Sequence, residues 1–206
     1  KTLTSWYLDL QLRVNQLVKW SMQLKRPFCV WLSGLFNPAS FNTAIMQATS
    51  RAHNLPLDNM TVETNITALG VNSETPKLHP TDGAFVSGFF IEGARWFNDE
   101  DECEDYEVSG TKCRGYLTDA RIKELIPLMP LIYIKAVQVE SSWEPSAVGY
   151  MRHDSRLFEC PVYQTTFRGP TYVFLATLQT VASNTAVTQK SKWVLRGVAL
   201  ILQTDD

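Results

Sequence analysis

Three histidines, His53, His79 and His153, are the side chains of this sequence best suited to move a proton near neutral pH. A Ser-His-Asp or Cys-His site would have to use one of them. His53 falls at the end of a helical stretch, His79 precedes Pro80 in a loop, and His153 precedes Asp154 in a polar stretch. Each reads as a surface histidine rather than a base. Glu92 is the one carboxylate in an apolar strand-to-turn context, between Ile91 and Gly93-Ala94-Arg95-Trp96. An ion pair with Arg95 or Arg196 explains it more economically than a general acid. A carboxylate pair for glycoside chemistry is defined by its separation in space. The acids are concentrated instead in one run, Asp99-Glu100-Asp101-Glu102 with Glu104, Asp105 and Glu107.

That run repels itself and reads as a loop. Its ligands are contiguous and no glycine sits at the centre, which departs from the alternating oxygens of a calcium-binding EF-hand loop. A G-x-x-x-x-G-K-[ST] loop is absent, as are G-x-G-x-x-G and G-x-S-x-G. No P-loop cradle for nucleotide phosphates, and hence no ATPase site of that type, is expected in the sequence. Cys29, Cys103, Cys113 and Cys160 lack zinc-site spacing and read as reduced thiols. The sequons at Asn59 and Asn65 read as chance tripeptides. No cofactor or metal is expected.

The 206 residues, 45% apolar and 19% charged, suffice for a sizeable core. A net charge of −2 with scattered lysines and arginines gives no basic field for nucleic acid. No apolar run reaches the roughly 20 residues of a membrane span, and no signal peptide is evident. Neither nucleic acid nor membrane is an expected partner.

The elements that must hold these residues follow from periodicity. Trp6, Leu10, Val14, Leu17 and Leu24 recur on one helical stripe, with Asp9, Arg13, Gln16 and Gln23 off it, predicting an amphipathic helix ended by Pro27. Asn37 and Pro38 start a second helix running to about Ala52, with Phe41, Ile45 and Ala48 on its inner face. Beyond Pro56 the pattern changes to β-branched alternation in Thr61, Val62, Thr64 and Ile66. Further strands are predicted at Ala84 to Ile91, Leu131 to Val139, Pro161 to Thr166, Thr171 to Leu178 and Trp193 to Leu202, with Arg196 needing a partner in the last. A short helix is predicted from Thr118 to Ile126. The fold class is α+β, with N-terminal helices followed by an antiparallel β-barrel or strongly curved sheet. The expected division is a helical part, 1–58, and a β part, 59–206, carrying an acidic insertion at about 97–113.

Six blocks in order then carry a resemblance. They are Trp31-Leu32-Ser33-Gly34-Leu35-Phe36 with Pro38 and Phe41; Asp82-Gly83; Gly88-Phe89-Phe90-Ile91-Glu92-Gly93-Ala94-Arg95-Trp96; Pro127-Leu128-Met129-Pro130; Cys160-Pro161-Val162-Tyr163; and Trp193-Val194-Leu195-Arg196-Gly197-Val198-Ala199-Leu200. Together they resemble the C-terminal region of dynein heavy chains, from about residue 3 to the end. The glycine turn with its tryptophan and the ending Leu202-Gln203-Thr204-Asp205-Asp206 look more like axonemal, flagellar heavy chains than cytoplasmic ones. A short segment between Tyr163 and Tyr172 favours the outer-arm type.

The resemblance implies helices and then a β-barrel, stacked on the AAA+ ring that precedes this segment in the heavy chain, and regulation of motor output rather than catalysis. It implies as partners that ring, other subunits of the dynein complex, and microtubules only indirectly, in the cytoskeleton of a cilium or flagellum. Trp31, Gly34, Pro38, Gly83, Glu92, Gly93, Arg95, Trp96, Pro130, Pro161, Trp193, Arg196 and Gly197 are then family-motif residues with structural roles. The acidic stretch after Trp96 looks like an insertion relative to the family. It motivates a second reading, a binding module that recruits light chains or other axonemal proteins.

Overall fold

The computed structural model describes residues 2–23, 27–67, 76, 78–98, 115–119, 129–140, 144–146, 149–151, 157–180 and 186–203. The acidic run, His153, Cys103 and Cys113 lie outside them. Helix α1 spans Leu3–Gln23 and α2 spans Pro38–His53, separated by strand β1 at Cys29–Trp31 and a 3-10 turn at Leu32–Gly34. α2 begins as its sequence dictates: Asn37 Oδ1 accepts a hydrogen bond from the Ser40 amide at 3.2 Å and Pro38 takes the first helical position. It ends on Asn54, whose φ of 53° is left-handed.

Strands β2 (Met60–Ile66), β3 (Ala84–Ser87) and β7 (Ile132–Gln138) join β1 in a four-stranded sheet of order β1-β3-β7-β2. A second sheet, of order β11-β10-β12-β4, contains β4 (Phe90–Glu92), β10 (Leu157–Thr165), β11 (Tyr172–Gln179) and β12 (Ala199–Gln203). Two hairpins, β5 (Ala94–Asn98) with β6 (Gly115–Asp119) and β8 (Glu144–Ser146) with β9 (Gly149–Met151), complete the described strands. The architecture is α+β. Both sheets are mixed, because β1 runs parallel to β3 and β10 parallel to β12, so they differ from a purely antiparallel barrel. The described strands form no closed ladder: the sheets meet where β3 passes through Gly88-Phe89 into β4, and where two edge strands touch. At that second contact the Thr177 amide donates to Thr64 Oγ1 at 2.7 Å and the Thr64 hydroxyl donates to the Thr177 carbonyl at 3.2 Å. Side-chain bonds there replace a backbone ladder.

Alternation selects the inner face. Ile132, Ile134 and Ala136 of β7, Phe158, Cys160 and Val162 of β10, and Phe174, Ala176 and Leu178 of β11 are buried in one core. β12 lies between β10 and β4, and Ala199, Leu200, Ile201 and Leu202 are all buried, as a strand covered on both faces requires. Leu17 and Trp20 of α1 and Val30 of β1 join the same core as the sheet residues.

Several expectations from periodicity are corrected here. The stretch Ala84 to Ile91 is two strands, since Gly88 takes φ +91° and turns the backbone from one sheet to the other. Trp193 to Leu202 is not one strand: helix α3, Ala186–Leu195, ends there and only Ala199–Gln203 is extended. The Gly197 amide bonds the Val194 carbonyl and the Val198 amide the Trp193 carbonyl, each at 3.0 Å, with Gly197 at φ +65°. These are the two bonds of a Schellman helix end. Thr118 and Asp119 belong to β6 rather than to a helix, and residues 120–126 lie outside the described ones.

The stripe of α1 is turned as well. Trp6 and Val14 are exposed and Leu10 and Leu17 half-buried, whereas Arg13, expected off the stripe, is 8% exposed. Leu17 and Trp20 pack on the core, while a second apolar stripe of the helix points outward.

Two buried polar groups make testable claims about the core. The amide of Asn42 on α2 is 4% exposed and neither its oxygen nor its nitrogen has a hydrogen-bond partner. Asn42→Leu is expected to stabilise the fold by about 1–3 kcal/mol, the desolvation cost of an unsatisfied group, read as a higher urea midpoint at unchanged m-value. Burial pushes the Cys160 thiol up to about 12. The native state therefore keeps its proton while the unfolded polypeptide loses it, so stability is intact below about pH 9 and falls as pH rises from there toward 12. Urea midpoints at pH 8 and pH 10.5 should differ, and Cys160→Ala should reduce the difference.

Candidate functional site

Two junctions gather the residues singled out by sequence. The first is built on Trp31, at the end of β1. A Cβ on Gly34 would sit 2.2 Å from the Trp31 ring carbon Cε3, and a Cβ on Gly88 would sit 2.7 Å from Cδ1 of the same indole and 2.3 Å from Ser33 Oγ. The indole is thus pressed against two glycine backbones, one from the 3-10 turn and one from the β3–β4 crossing. Pro38 follows as the buried first residue of α2.

Helix α1 lies over this junction through polar groups. Gln16 accepts from the Trp31 amide at 2.8 Å and donates to the Trp31 carbonyl at 3.1 Å, occupying the outer edge of β1 as a neighbouring strand would. Arg13 donates from Nη1 to the Ser33 carbonyl at 2.7 Å, pairs through Nε with Asp9 at 2.6 Å, and stands 5.5 Å from the Trp31 ring centroid. The Gln203 amide at the end of β12 abuts the same guanidinium, with contacts of 3.1 and 3.3 Å when its oxygen faces Arg13. A buried guanidinium is tolerated because each of these groups compensates its desolvation.

The outward face of α1 is the opposite in character. Leu3, Tyr7, Val14, Val18 and Met22 form a stripe, with Trp6, Leu8 and Leu12 beside it, and all of them are exposed. Leu3 and Met22 reach 81% and 78% exposure. A helix of a free-standing domain hides such a stripe and shows its polar face to water.

The second junction lies at the other end of β12. Glu92 pairs with Arg168 at 2.6 Å, not with Arg95 or Arg196. Arg95 lies in β5 and Arg196 in the exposed turn after α3. Arg168, on the β10–β11 turn, also stands 5.9 Å from the Tyr163 ring centroid, and a Cβ on Gly197 would come within 2.9 Å of its Nη1. Gly93 at φ +81° packs on Val198, and Trp193 is fully buried, edge-to-face with Phe158 at 5.3 Å. Gly83 turns at φ +72° beneath the Ile134 carbonyl, Trp96 packs on the core, Pro130 is buried and Pro161 half-buried in β10. The motif residues therefore divide between turns, seams and core.

Of the candidate proton-transfer groups, His53 lies 3.3 Å from Asp82 and about half-exposed, and His79 stacks on Phe28 at 4.4 Å. Both line a groove of about 1030 Å³ beside Tyr133, Glu63 and Lys135. Glu63 and Lys135 pair across β2 and β7 at 3.1 Å, and the Tyr133 hydroxyl donates to the Asp82 carbonyl at 2.6 Å. Neither histidine has a serine or cysteine hydrogen-bond partner among the described residues, which also hold no cluster of three or more His, Cys, Asp and Glu suited to a metal. Burial raises the Cys29 thiol above its ordinary value, against a smaller opposing hydrogen bond with Ser87, which disfavours the nucleophilic thiolate.

The family model for the C-terminal domain of the dynein heavy chain matches residues 1–202. The protein belongs to that family. Among curated relatives, this dynein segment is 39% identical over 201 residues to human "Dynein axonemal heavy chain 17" and 40% over 202 residues to "Dynein beta chain, ciliary" of Tripneustes gratilla. It is 37% identical over 202 residues to "Dynein beta chain, flagellar outer arm" of Chlamydomonas reinhardtii. Each alignment covers 98% of this segment and 4% of the relative, so the dynein segment spans a small fraction of the proteins it matches.

Sequence reasoning missed Arg13, Gln16, Gly88's role as the crossing point, and Arg168. Only Arg13 carried a local signal, its i, i+4 spacing from Asp9. The tight indole contact yields a test within the dynein domain. Gly88→Ala combines a positive φ with two clashes and is expected to cost about 3 kcal/mol or more. Gly169→Ala, at φ +56° with nothing within 4 Å of the new carbon, is expected to cost only about 1–2 kcal/mol. Equal urea midpoints for the two variants would contradict the packing role of Gly88.

Proposed function

We propose that this segment docks on the AAA+ ring of its own heavy chain through the outer face of α1 and thereby modulates microtubule-based motor activity, performing no catalytic step itself. The observation that carries the reading is the exposed apolar stripe of α1. α1 spends its polar side chains, Asp9, Arg13 and Gln16, on its own domain and leaves Leu3, Tyr7, Val14, Val18 and Met22 outward. Such a face is covered in the working molecule, and the matched relatives are about twenty-five times longer than this segment, given its 4% coverage of them. The rest of the heavy chain is the partner always present at high effective concentration.

Regulation follows if the docked segment binds the ring's conformational states with different free energies. Contact with microtubules is then indirect, and other dynein subunits are secondary partners. The ciliary and flagellar names of the relatives place the proposed work in the axonemal cytoskeleton.

The test uses a motor-length heavy chain with Tyr7→Glu and Val14→Glu, two exposed positions whose replacement leaves the domain core untouched. Burying a charge against an apolar partner should weaken docking by at least about 2 kcal/mol, roughly thirtyfold. ATP turnover and stall force should shift with it. Unchanged turnover and force would defeat the regulatory reading. Recovery of a light chain or other axonemal protein that the variant no longer binds would favour the recruiting module instead.

A further inference from the structure

The groove beside α2 has a chemistry that neither the core nor α1 uses. On β7, Tyr133 and Lys135 alternate with the core residues Ile132 and Ile134, and the strand register sets Phe85 and Asn65 beside Tyr133 and Glu63 beside Lys135. These side chains line the groove of about 1030 Å³ together with Thr49 and His53 of α2 and the segment 78–82. Charge decides what it can hold. Glu63 and Lys135 answer each other at 3.1 Å, whereas among the described residues the Asp82 carboxylate meets only His53, at 3.3 Å, a group charged only when protonated. One negative charge is unmatched whenever His53 is neutral. Aromatic rings stand beside it, because the Tyr133 hydroxyl donates to the Asp82 carbonyl at 2.6 Å and Phe85 packs on Tyr133 with ring centroids 5.4 Å apart. The rim is apolar: Leu78 is 61% exposed, and Phe28, 46% exposed, stacks on His79.

We propose that this groove binds an arginine side chain presented, between apolar neighbours, by an extended segment of a different protein. A carboxylate held next to aromatic rings suits a guanidinium better than an ammonium, since the planar, weakly hydrated group pairs with the acid and lies on a ring at once. An anionic segment meets repulsion from the same unmatched charge, and a wholly apolar one buries Asp82 without a partner. Only a cation offsets both costs. The occupant is a polypeptide rather than a lone small cation, because Leu78 and Phe28 sit at the rim, where they meet the neighbours of the arginine and shield the charged centre from water. α1 contributes no residue to the groove, so a segment docked through α1 leaves it unfilled. The inference is therefore independent of that docking.

The experiment titrates the motor-length heavy chain into a fluorescein-labelled peptide bearing one arginine between leucines and follows the anisotropy. A second peptide carries citrulline in place of arginine, which keeps the shape and removes the charge. Saturable binding of the arginine peptide, about tenfold or more tighter than that of the citrulline peptide, is the expected result. Asp82→Asn should bring the difference to about twofold or less while leaving the affinity for citrulline unchanged, a pattern that a general loss of fold does not produce. Leu78→Ser should weaken both peptides by about threefold. Equal affinity for the two peptides, binding of neither, tighter binding of an aspartate-bearing peptide, or a charge preference that survives Asp82→Asn would each overturn the proposal. Loss of binding in the Tyr7→Glu and Val14→Glu chain would place the peptide on α1 and overturn it as well.

Discussion

The contact between the Trp31 indole and the backbones of Gly34 and Gly88 sets the distances on which the rest of the domain is built. Neither glycine leaves room for a methyl group, so the 3-10 turn and the β3–β4 crossing approach as closely as a ring's thickness permits. That approach lets β3 leave the first sheet and enter the second as β4, putting Phe89 at the centre of the core, edge-to-face with Phe174 at 6.4 Å. It also leaves the outer edge of Trp31 facing α1, where Gln16 pairs with it. Helix, turn and both sheets thus share one residue.

The parts of this arrangement that a sequence can announce are those with local causes. Asn37 and Pro38 announced α2, and the alternation in Ile132, Ile134 and Ala136 announced β7, because capping and pleat depend on neighbours within a few residues. The last residues of α3, Trp193 to Leu195, read as strand from sequence although Lys192, Arg196 and Gly197 form a helix stop, since the apolar run Val198 to Leu202 continues directly from them. The Glu92 partner lay 76 residues away in Arg168 rather than in a neighbouring turn. The face of α1 was misjudged for a different reason. Periodicity identifies an apolar stripe but does not say which molecule covers it, and here the inward side mixes Arg13 and Gln16 with Leu17 and Trp20.

The family relationship and the geometry support each other without being interchangeable. Many residues of the six blocks sit as turn glycines, seam residues and core aromatics, which hold the domain's shape, while Arg95 and Arg196 are exposed. The surface proposed for docking on α1 is made by residues outside those blocks.

The way α1 is attached has a consequence for how changes in sequence are absorbed. Gln16 and Arg13 bond the main-chain atoms of Trp31 and Ser33, and a peptide group is the same whatever side chain it carries. Replacements at Ser33 that keep the backbone path leave these bonds in place, whereas Gln203 and the Trp31 ring meet Arg13 through their side chains and are tied to it. Part of the helix's seat therefore tolerates changes in sequence that the rest does not.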